Sequence, residues 1–248
     1  WTRQVFEKTH DHTVPEFHGF MYGLALHYYV HPEGWEIKGC ATDFDEEVWY
    51  KTLKKARYME TLVERHGMIM DQYDPDKKIG MIVDEWGCWF TVEPGTNPGF
   101  LYQQNTVRDA LVAGITLNIF TKHCDRVKMA NLAQMVNVLQ SVILTEGPKM
   151  IKTPTYHVFH MYRHHQGATL LNSTLTGVGE TGIGEWKVPE VTESVSEDAE
   201  HIITVTLNNL SADEEKEIEI VIAGDEHVYS VKDANVVSAE IHAHNTLD

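Results

Sequence analysis

The sequence has few cysteines and no recognisable metal-binding motif. Its three cysteines, Cys40, Cys88 and Cys124, are widely spaced, and none belongs to a CxxC pair. No HExxH or similar signature occurs among the 15 histidines. A disulfide framework and a metal centre are therefore not expected, and reduced buried thiols are the simpler interpretation.

Basic residues and long apolar runs are also scarce. The 248 residues include 20 Lys and Arg against 37 Asp and Glu, which gives a formal net charge of −17 at pH 7. This charge argues against nucleic acid or an anionic membrane surface as a partner. No apolar run reaches the roughly eighteen residues that a membrane span needs. With 42% hydrophobic residues, the composition is that of a globular protein.

The acidic residues are distributed unevenly. From Val178 onward there are 17 Asp and Glu against 3 Lys and Arg, so this last part carries −14 of the net charge of −17. Such a shift predicts two domains with different surfaces. We place them at residues 1–166 and 167–248, where the hydrophobic pattern also changes.

The first domain alternates between short apolar strands and amphipathic helices. A strand is predicted at Gly23–Tyr29 and another at Ile79–Trp86. Between them lies a helical stripe that Asp43 or Asp45 can cap and Gly67 can end. Further helices are predicted in TVRDALVAGITLNIFTKH and PTYHVFHMYRHHQG, with a strand in RVKMANLAQMV. This alternation is typical of α/β architecture with parallel strands.

After Gly167 the pattern becomes that of antiparallel strands. Period-two alternation and β-branched residues occur in ATLLNSTL, HIITVTLNNL, KEIEIVIAG and VYSVKDANVVSAEIHA. Turn residues separate these runs. The acidic region is therefore predicted to be an all-β domain, most simply a sandwich.

Polar side chains at the ends of the first two strands form the candidate site. If side chains alternate strictly, His27 and Tyr29 share one face of their strand, and Glu85 shares a face with the apolar residues before it. The two predicted faces are Gly23, Ala25, His27 and Tyr29, and Ile79, Met81, Val83 and Glu85. In a (β/α)8 barrel the active site lies at the carboxyl ends of the strands, so we expect these three polar residues around one mouth.

Each of these residues also has a purely structural interpretation. A glutamate at a strand end is more often a salt-bridged surface residue. His27 can be a core histidine and Tyr29 a packing residue. Trp35, Trp86 and Trp89 can all belong to the core. Polar residues at the ends of two neighbouring strands, on the same face, support a functional site more strongly than any one of these residues alone.

Four stretches together resemble the α-L-arabinofuranosidases of glycoside hydrolase family 51. They are GLALHYY, VDEWGCWF, the long run from Thr106 to Gly147, and VVSAEIHAHNT. The resemblance extends over the whole chain. It implies the C-terminal part of a (β/α)8 TIM barrel followed by a jelly-roll-like β-sandwich. The implied activity is retaining, exo-acting removal of terminal α-L-arabinofuranosyl groups from oligosaccharides and hemicellulose.

The resemblance also implies roles for individual residues. Glu85 stands where the family has its catalytic nucleophile, while His27 and Tyr29 match residues near the sugar. Gln134 matches a glutamine expected to bind arabinose. The two tryptophans that follow the nucleophile are expected to shape the pocket wall or support it; they are Trp86 and Trp89. For Asp84 we expect a structural partner such as an arginine or a helix N-terminus.

The sequence departs from the family at the second catalytic carboxyl group. In the family an acid/base glutamate follows a Gly-Asn pair, and no Asn-Glu pair occurs here. We therefore expect an N-terminal portion of the same enzyme to supply it as a partner. The resemblance further implies a homo-oligomer, with a hexamer as one form, and a location in the bacterial cytoplasm. It implies no metal and no organic cofactor, since acid–base chemistry at an acetal needs none.

Two alternative functions are consistent with the same residues. A related retaining β-xylosidase or endoglucanase on the same scaffold would share the nucleophile. A non-catalytic carbohydrate-binding fragment would need no nucleophile at all, and replacing Glu85 by alanine distinguishes it from an enzyme.

Overall fold

The computed structural model describes residues 1–9, 21–224 and 228–247. Its helices are α1 (Thr2–Thr9), α2 (Glu46–Tyr73), α3 (Val107–Lys122) and α4 (Pro154–Tyr162). Its first five strands are β1 (Gly23–Val30), β2 (Gly80–Cys88), β3 (Val127–Leu132), β4 (Ile143–Glu146) and β5 (Lys149–Lys152). The later ones are β6 (Thr169–Leu170), β7 (Glu180–Ile183), β8 (Trp186–Pro189), β9 (Val191–Glu197) and β10 (Ile203–Asn209).

A three-stranded parallel sheet in the order β1-β2-β3 organises the first part of the chain. The helices α2 and α3 connect its strands and pack against one face, where Met81 and Val83 are fully buried. The predicted alternation of strands and helices is therefore confirmed. None of the described helices combines the length and apolar character that crossing a bilayer needs.

Helix α2 begins as predicted but ends later. The Asp45 carboxylate accepts a hydrogen bond from the Val48 amide at 2.9 Å and caps its first turn. The predicted stop at Gly67 is wrong, because the helix continues to Tyr73. The extra turns bury Met70 completely, and this apolar contact outweighs the poor helix propensity of one glycine.

The antiparallel part of the chain packs against α2 and α3. Strands β10, β9 and β6 form one sheet, and β7 pairs with β8 in a hairpin. Between α3 and the β9–β10 pair lies a buried group that we call the hydroxyl–amide cluster. It consists of Asn118, Tyr162, Ser194, Thr206 and Asn208.

Two of the predicted strands are wrong in the described residues. The segments 216–224 and 228–243 alternate as strands do, yet they pair with no other described strand. Their valines are largely exposed: Val221 is 74% exposed and Val228 is 99% exposed. A strand is stable only when a neighbouring backbone completes its hydrogen-bond ladder, and these segments have no such neighbour among the described residues.

Candidate active site

A β-bulge, and not simple alternation, turns Glu85 towards His27. Strand β1 pairs with β2 so that Leu26 lies opposite Val83, and after a register shift His27 lies opposite Glu85. The predicted face containing Met81, Val83 and Glu85 is wrong, because Met81 and Val83 are buried against the helices. Strict alternation from Val83 would carry Glu85 to that same buried side. The extra residue of the bulge brings it to the open face.

The Glu85 carboxylate is held by one short hydrogen bond. The Tyr29 hydroxyl donates to Glu85 Oε2 at 2.7 Å, and His27 Nδ1 lies 3.9 Å from the same oxygen. Burial, together with the neighbouring Glu85, raises the pKa of Tyr29 above its usual value, so the phenol keeps its proton and remains a donor. The side chains of Glu85 and His27 are 46% and 51% exposed. The structure thus brings together the three polar residues that the strand pattern predicted.

The side chain of Asp84, the acid immediately before Glu85, makes no hydrogen bond or ion pair with any residue that the structure describes. The arginine or helix N-terminus expected beside it is therefore not found among those residues. Of the two adjacent acids, Glu85 alone is oriented by a neighbouring strand.

An aromatic group extends from Tyr29 along the loop after β1. The ring centroid of Trp89 lies 5.2 Å from that of Tyr29 and 5.5 Å from that of Trp35. His31 lies between them, with Nδ1 3.1 Å from the Trp89 carbonyl oxygen. The Lys38 ammonium lies 5.1 Å from the Trp35 ring centroid. Sequence analysis missed His31 and Lys38; the only signal was the density of aromatic residues just after a strand.

The two tryptophans that follow Glu85 lie in different environments. Trp86 is 1% exposed and packs in the core between Phe120 and Phe159, at 5.5 and 5.9 Å between ring centroids. It therefore supports β2 from the helix side and does not line the open face. Trp89 is half-buried and contacts Tyr29 directly.

Gln134 follows the end of the neighbouring strand β3. Its side chain is exposed and makes no hydrogen bond with a described residue, while the preceding Ala133 amide donates to the Trp86 carbonyl at 3.0 Å. This bond fixes the start of the Gln134 loop to β2. The amide group of Gln134 is thus available to a ligand.

Two buried glutamines, which sequence analysis missed, hold the end of β2. Gln140 Oε1 accepts from the Cys88 amide at 2.8 Å. Gln103 Oε1 accepts from the Phe90 amide at 2.8 Å, and its Nε2 donates to the Cys88 carbonyl. No local pattern marks them, because their partners are backbone groups far away in the sequence. They keep the strand end rigid immediately after Glu85.

A groove of about 940 Å³ opens beside the aromatic group. Tyr29, His31 and Trp35 contribute to its lining, together with Glu60 and Glu64 of α2. Among the described residues, no group of three close His, Cys, Asp or Glu donors surrounds Glu85 that could hold a metal ion. The one such group found in the part of the chain that the structure describes is Glu60, Glu64 and His123, two of which line the groove.

Comparisons with known proteins agree on one family. The family model for the α-L-arabinofuranosidase C-terminal domain matches residues 84–248. An intracellular exo-α-L-arabinofuranosidase from Bacteroides ovatus is 49% identical over 201 residues, which are 81% of this chain and 39% of that protein. An intracellular exo-α-(1→5)-L-arabinofuranosidase from Streptomyces lividans is 25% identical over all of this chain and 36% of its own length.

Solved structures give the same result. The family 51 arabinofuranosidase from Xanthomonas axonopodis pv. citri superposes with a TM-score of 0.80 at 45% identity, over 86% of this chain and 42% of that one. AbfB of Bifidobacterium longum, also of family 51, gives a TM-score of 0.66 at 22% identity over the same shares and supports the fold alone. The chain spans about two fifths of the length of these relatives. Because the family model covers about two thirds of its residues, this chain belongs to the α-L-arabinofuranosidases of glycoside hydrolase family 51.

Proposed function

We propose that this chain carries the nucleophile of a retaining exo-α-L-arabinofuranosidase. The relatives it matches are named exo-α-L-arabinofuranosidases, which supports the activity and the substrate class. The observation on which the proposal rests most is the hydrogen bond from Tyr29 to Glu85 across adjacent parallel strands. It leaves one carboxylate oriented and about half exposed.

In the proposed reaction a Glu85 oxygen attacks the anomeric carbon of the arabinofuranosyl group. The bond to the leaving oxygen breaks, and a second carboxyl group protonates that oxygen. Water then hydrolyses the glycosyl ester, which restores Glu85 and retains the anomeric configuration. Tyr29 donates to the oxygen that does not attack and fixes the angle of the carboxylate.

The neighbouring side chains are proposed to bind the sugar. His27 lies beside the carboxylate and can donate to a sugar hydroxyl, and Gln134 offers both a donor and an acceptor. Trp89 provides an apolar wall next to Tyr29. Trp86 acts behind the strand, where its ring fills the core.

We propose that the second carboxyl group comes from an N-terminal segment of the same enzyme, outside this sequence. Three parallel strands cannot close an eight-stranded barrel, so the remaining strands would come from there too. In this view residues 1–166 complete a (β/α)8 barrel and residues 167–248 contribute to a β-sandwich. A homo-oligomer, a hexamer among the forms considered, is part of the same proposal.

The setting proposed for this enzyme follows from its relatives. Proteins from Bacteroides ovatus and Streptomyces lividans are named intracellular, and we extend this location to the present chain. Inside a cell the substrates would be short arabinose-containing fragments of hemicellulose or arabinan. The chemistry requires neither a metal nor an organic cofactor.

Replacing the nucleophile tests the proposal in the complete enzyme. Glu85→Ala should lower kcat on a nitrophenyl α-L-arabinofuranoside by at least about 10³-fold, because no covalent intermediate can form. Added azide should restore turnover by occupying the vacated space, and the product should be the arabinofuranosyl azide of inverted configuration. Asp84→Asn is the matched control, and it should keep kcat within a few-fold of the parent.

Three results would contradict the assignment. The first is equal loss in the two variants, which would indicate a structural role for both acids. The second is an azide product of retained configuration. The third is preference for a nitrophenyl β-xyloside, which would favour the xylosidase alternative.

A further inference from the structure

A mixed histidine and carboxylate cluster lies on the helices that flank β2, and two of its members, Glu60 and Glu64, line the same groove as Tyr29. Glu60 and Glu64 are one turn apart on α2, and His123 caps the end of α3. One donor atom from each residue lies within 4.8 Å of the other two. The three side chains are exposed or half-buried, so an ion can reach them.

The donor atoms are close to the separation that a small divalent cation imposes. A Zn²⁺ ion holds oxygen and nitrogen at about 2.0–2.2 Å in a tetrahedron, which places ligand atoms roughly 3.3 Å apart. His123 Nε2 already lies 3.9 Å from Glu60 Oε1. Small rotations of the two glutamate side chains, which have freedom at the surface, close the remaining gap.

The charges around the cluster favour a bound cation. The Glu64 side chain makes no hydrogen bond or ion pair with any described residue. Two basic side chains lie nearby: Lys122 pairs with Glu193, while Arg57 lies 3.8 Å from Glu60 Oε2 and leaves Oε1 facing His123.

We propose that Glu60, Glu64 and His123 form a binding site for a divalent transition-metal ion, with Zn²⁺ as the probe. An imidazole ligand selects such ions over Ca²⁺ and Mg²⁺, which prefer oxygen donors alone. No sequence motif marks the site, because its ligands come from two helices that are distant along the chain. A bound ion joins the helix before β2 to the helix after it.

Zinc binding to the complete enzyme, stripped of metal by a chelator, tests the site. Glu64→Gln and His123→Gln should each lose one equivalent of tight Zn²⁺ in titration calorimetry, with affinity lowered more than about 100-fold. This exceeds the loss of 10- to 100-fold expected for an outer-sphere partner. The rise in unfolding temperature on adding Zn²⁺ should shrink in both variants. Circular dichroism without metal confirms that they fold.

Two controls separate this site from other donors. Glu197→Gln removes the acid of an exposed acid–histidine pair, Glu197 with His201 at 2.8 Å, that lacks a third ligand, and it should leave Zn²⁺ binding unchanged. Cys124→Ser should also change nothing, and the Co²⁺ complex should show no thiolate charge-transfer band. Parental affinity in the Glu64 and His123 variants overturns the proposal, as does loss of binding in the cysteine variant.

Discussion

The parallel and antiparallel parts of the molecule bury polar groups in different ways. Beside the parallel sheet, the buried polar groups include charged side chains. Arg126 forms an ion pair with Asp74, and the adjacent residues Arg108 and Asp109 are both buried. Beside the antiparallel strands, the hydroxyl–amide cluster contains only neutral side chains, and the buried Glu193, paired with Lys122, lies outside it. A buried charge needs its partner and responds to pH, whereas hydroxyl and amide groups need partners but do not titrate near neutrality. Removing one buried polar side chain should therefore lower the free energy of unfolding by a different amount, and with a different pH dependence, in the two parts.

Removing Arg126 should give the largest loss of stability. Its guanidinium donates to Asp74 Oδ2 and to the Ile79 carbonyl oxygen, each at 2.8 Å. Arg126→Ala leaves the buried Asp74 carboxylate without its cation, so the free energy of unfolding should fall by about 3–5 kcal/mol in denaturant titration. Lys77→Ala, which breaks the exposed pair with Asp125, should cost less than about 1 kcal/mol. Equal losses would remove the distinction between buried and exposed charge.

A smaller effect with a clear pH signature is expected at Asp109. Complete burial raises its pKa from 3.8 to about 6. Between these two values the unfolded chain releases its proton before the folded protein does, so stability falls as pH rises and is constant above about pH 6. Asp109→Asn should remove this decline, which amounts to about 3 kcal/mol.

The Asp109 variant keeps the helix cap intact. Asp109 Oδ2 accepts from the Thr106 amide at 2.8 Å, and an asparagine carbonyl can accept the same bond. Asp45→Asn is the matched control, because it also keeps a cap but stands at an exposed position. Thermal unfolding across the acidic range measures both. If the stability of the Asp109 variant still falls with rising pH as steeply as that of the parent, the effect of burial is contradicted.

The hydroxyl–amide cluster should give the smallest of the three effects. Asn118 Oδ1 accepts from Ser194, Tyr162 and Thr206 at 2.7, 2.9 and 3.0 Å. Asn118→Ala leaves these donors with fewer partners, and we expect a loss of about 2 kcal/mol that is equal at about pH 7 and about pH 9. Asn131→Ala, at an exposed position, should stay within about 0.5 kcal/mol of the parent. A pH-dependent loss at Asn118 would break the contrast with Asp109.

Local signals predicted the parallel part well because each of its elements carries a complete hydrophobic pattern. The strands β1 and β2 and the helices α2 and α3 were all expected from periodicity. The end of α2 was missed, since a glycine inside a helix is a weak stop when Met70 beyond it can be buried. The two alternating segments after β10 were overpredicted, because alternation describes one strand and not the neighbour that must pair with it.

The candidate site was predicted only in part. The closeness of His27, Tyr29 and Glu85 followed from parallel strands that end together, and the structure agrees. The reason given for the direction of Glu85 was wrong, since no periodicity reveals a bulge. Trp86 and Trp89 have the same chemistry, and only packing against Phe120 separates the core residue from the open one. Gln103 and Gln140 bind backbone groups 13 to 52 residues away, and no periodicity of the sequence indicates such contacts.

The bulge in β2 makes the pairing of this strand with β1 decide which way Glu85 faces. If the strand kept its sequence and alternated strictly after Val83, the Glu85 carboxylate would turn to the helix side, away from His27 and Tyr29. Deleting Asp84, in contrast, would remove the bulge and leave Glu85 opposite His27. A designer who idealises this backbone while keeping its sequence would therefore lose the contact between Glu85 and Tyr29.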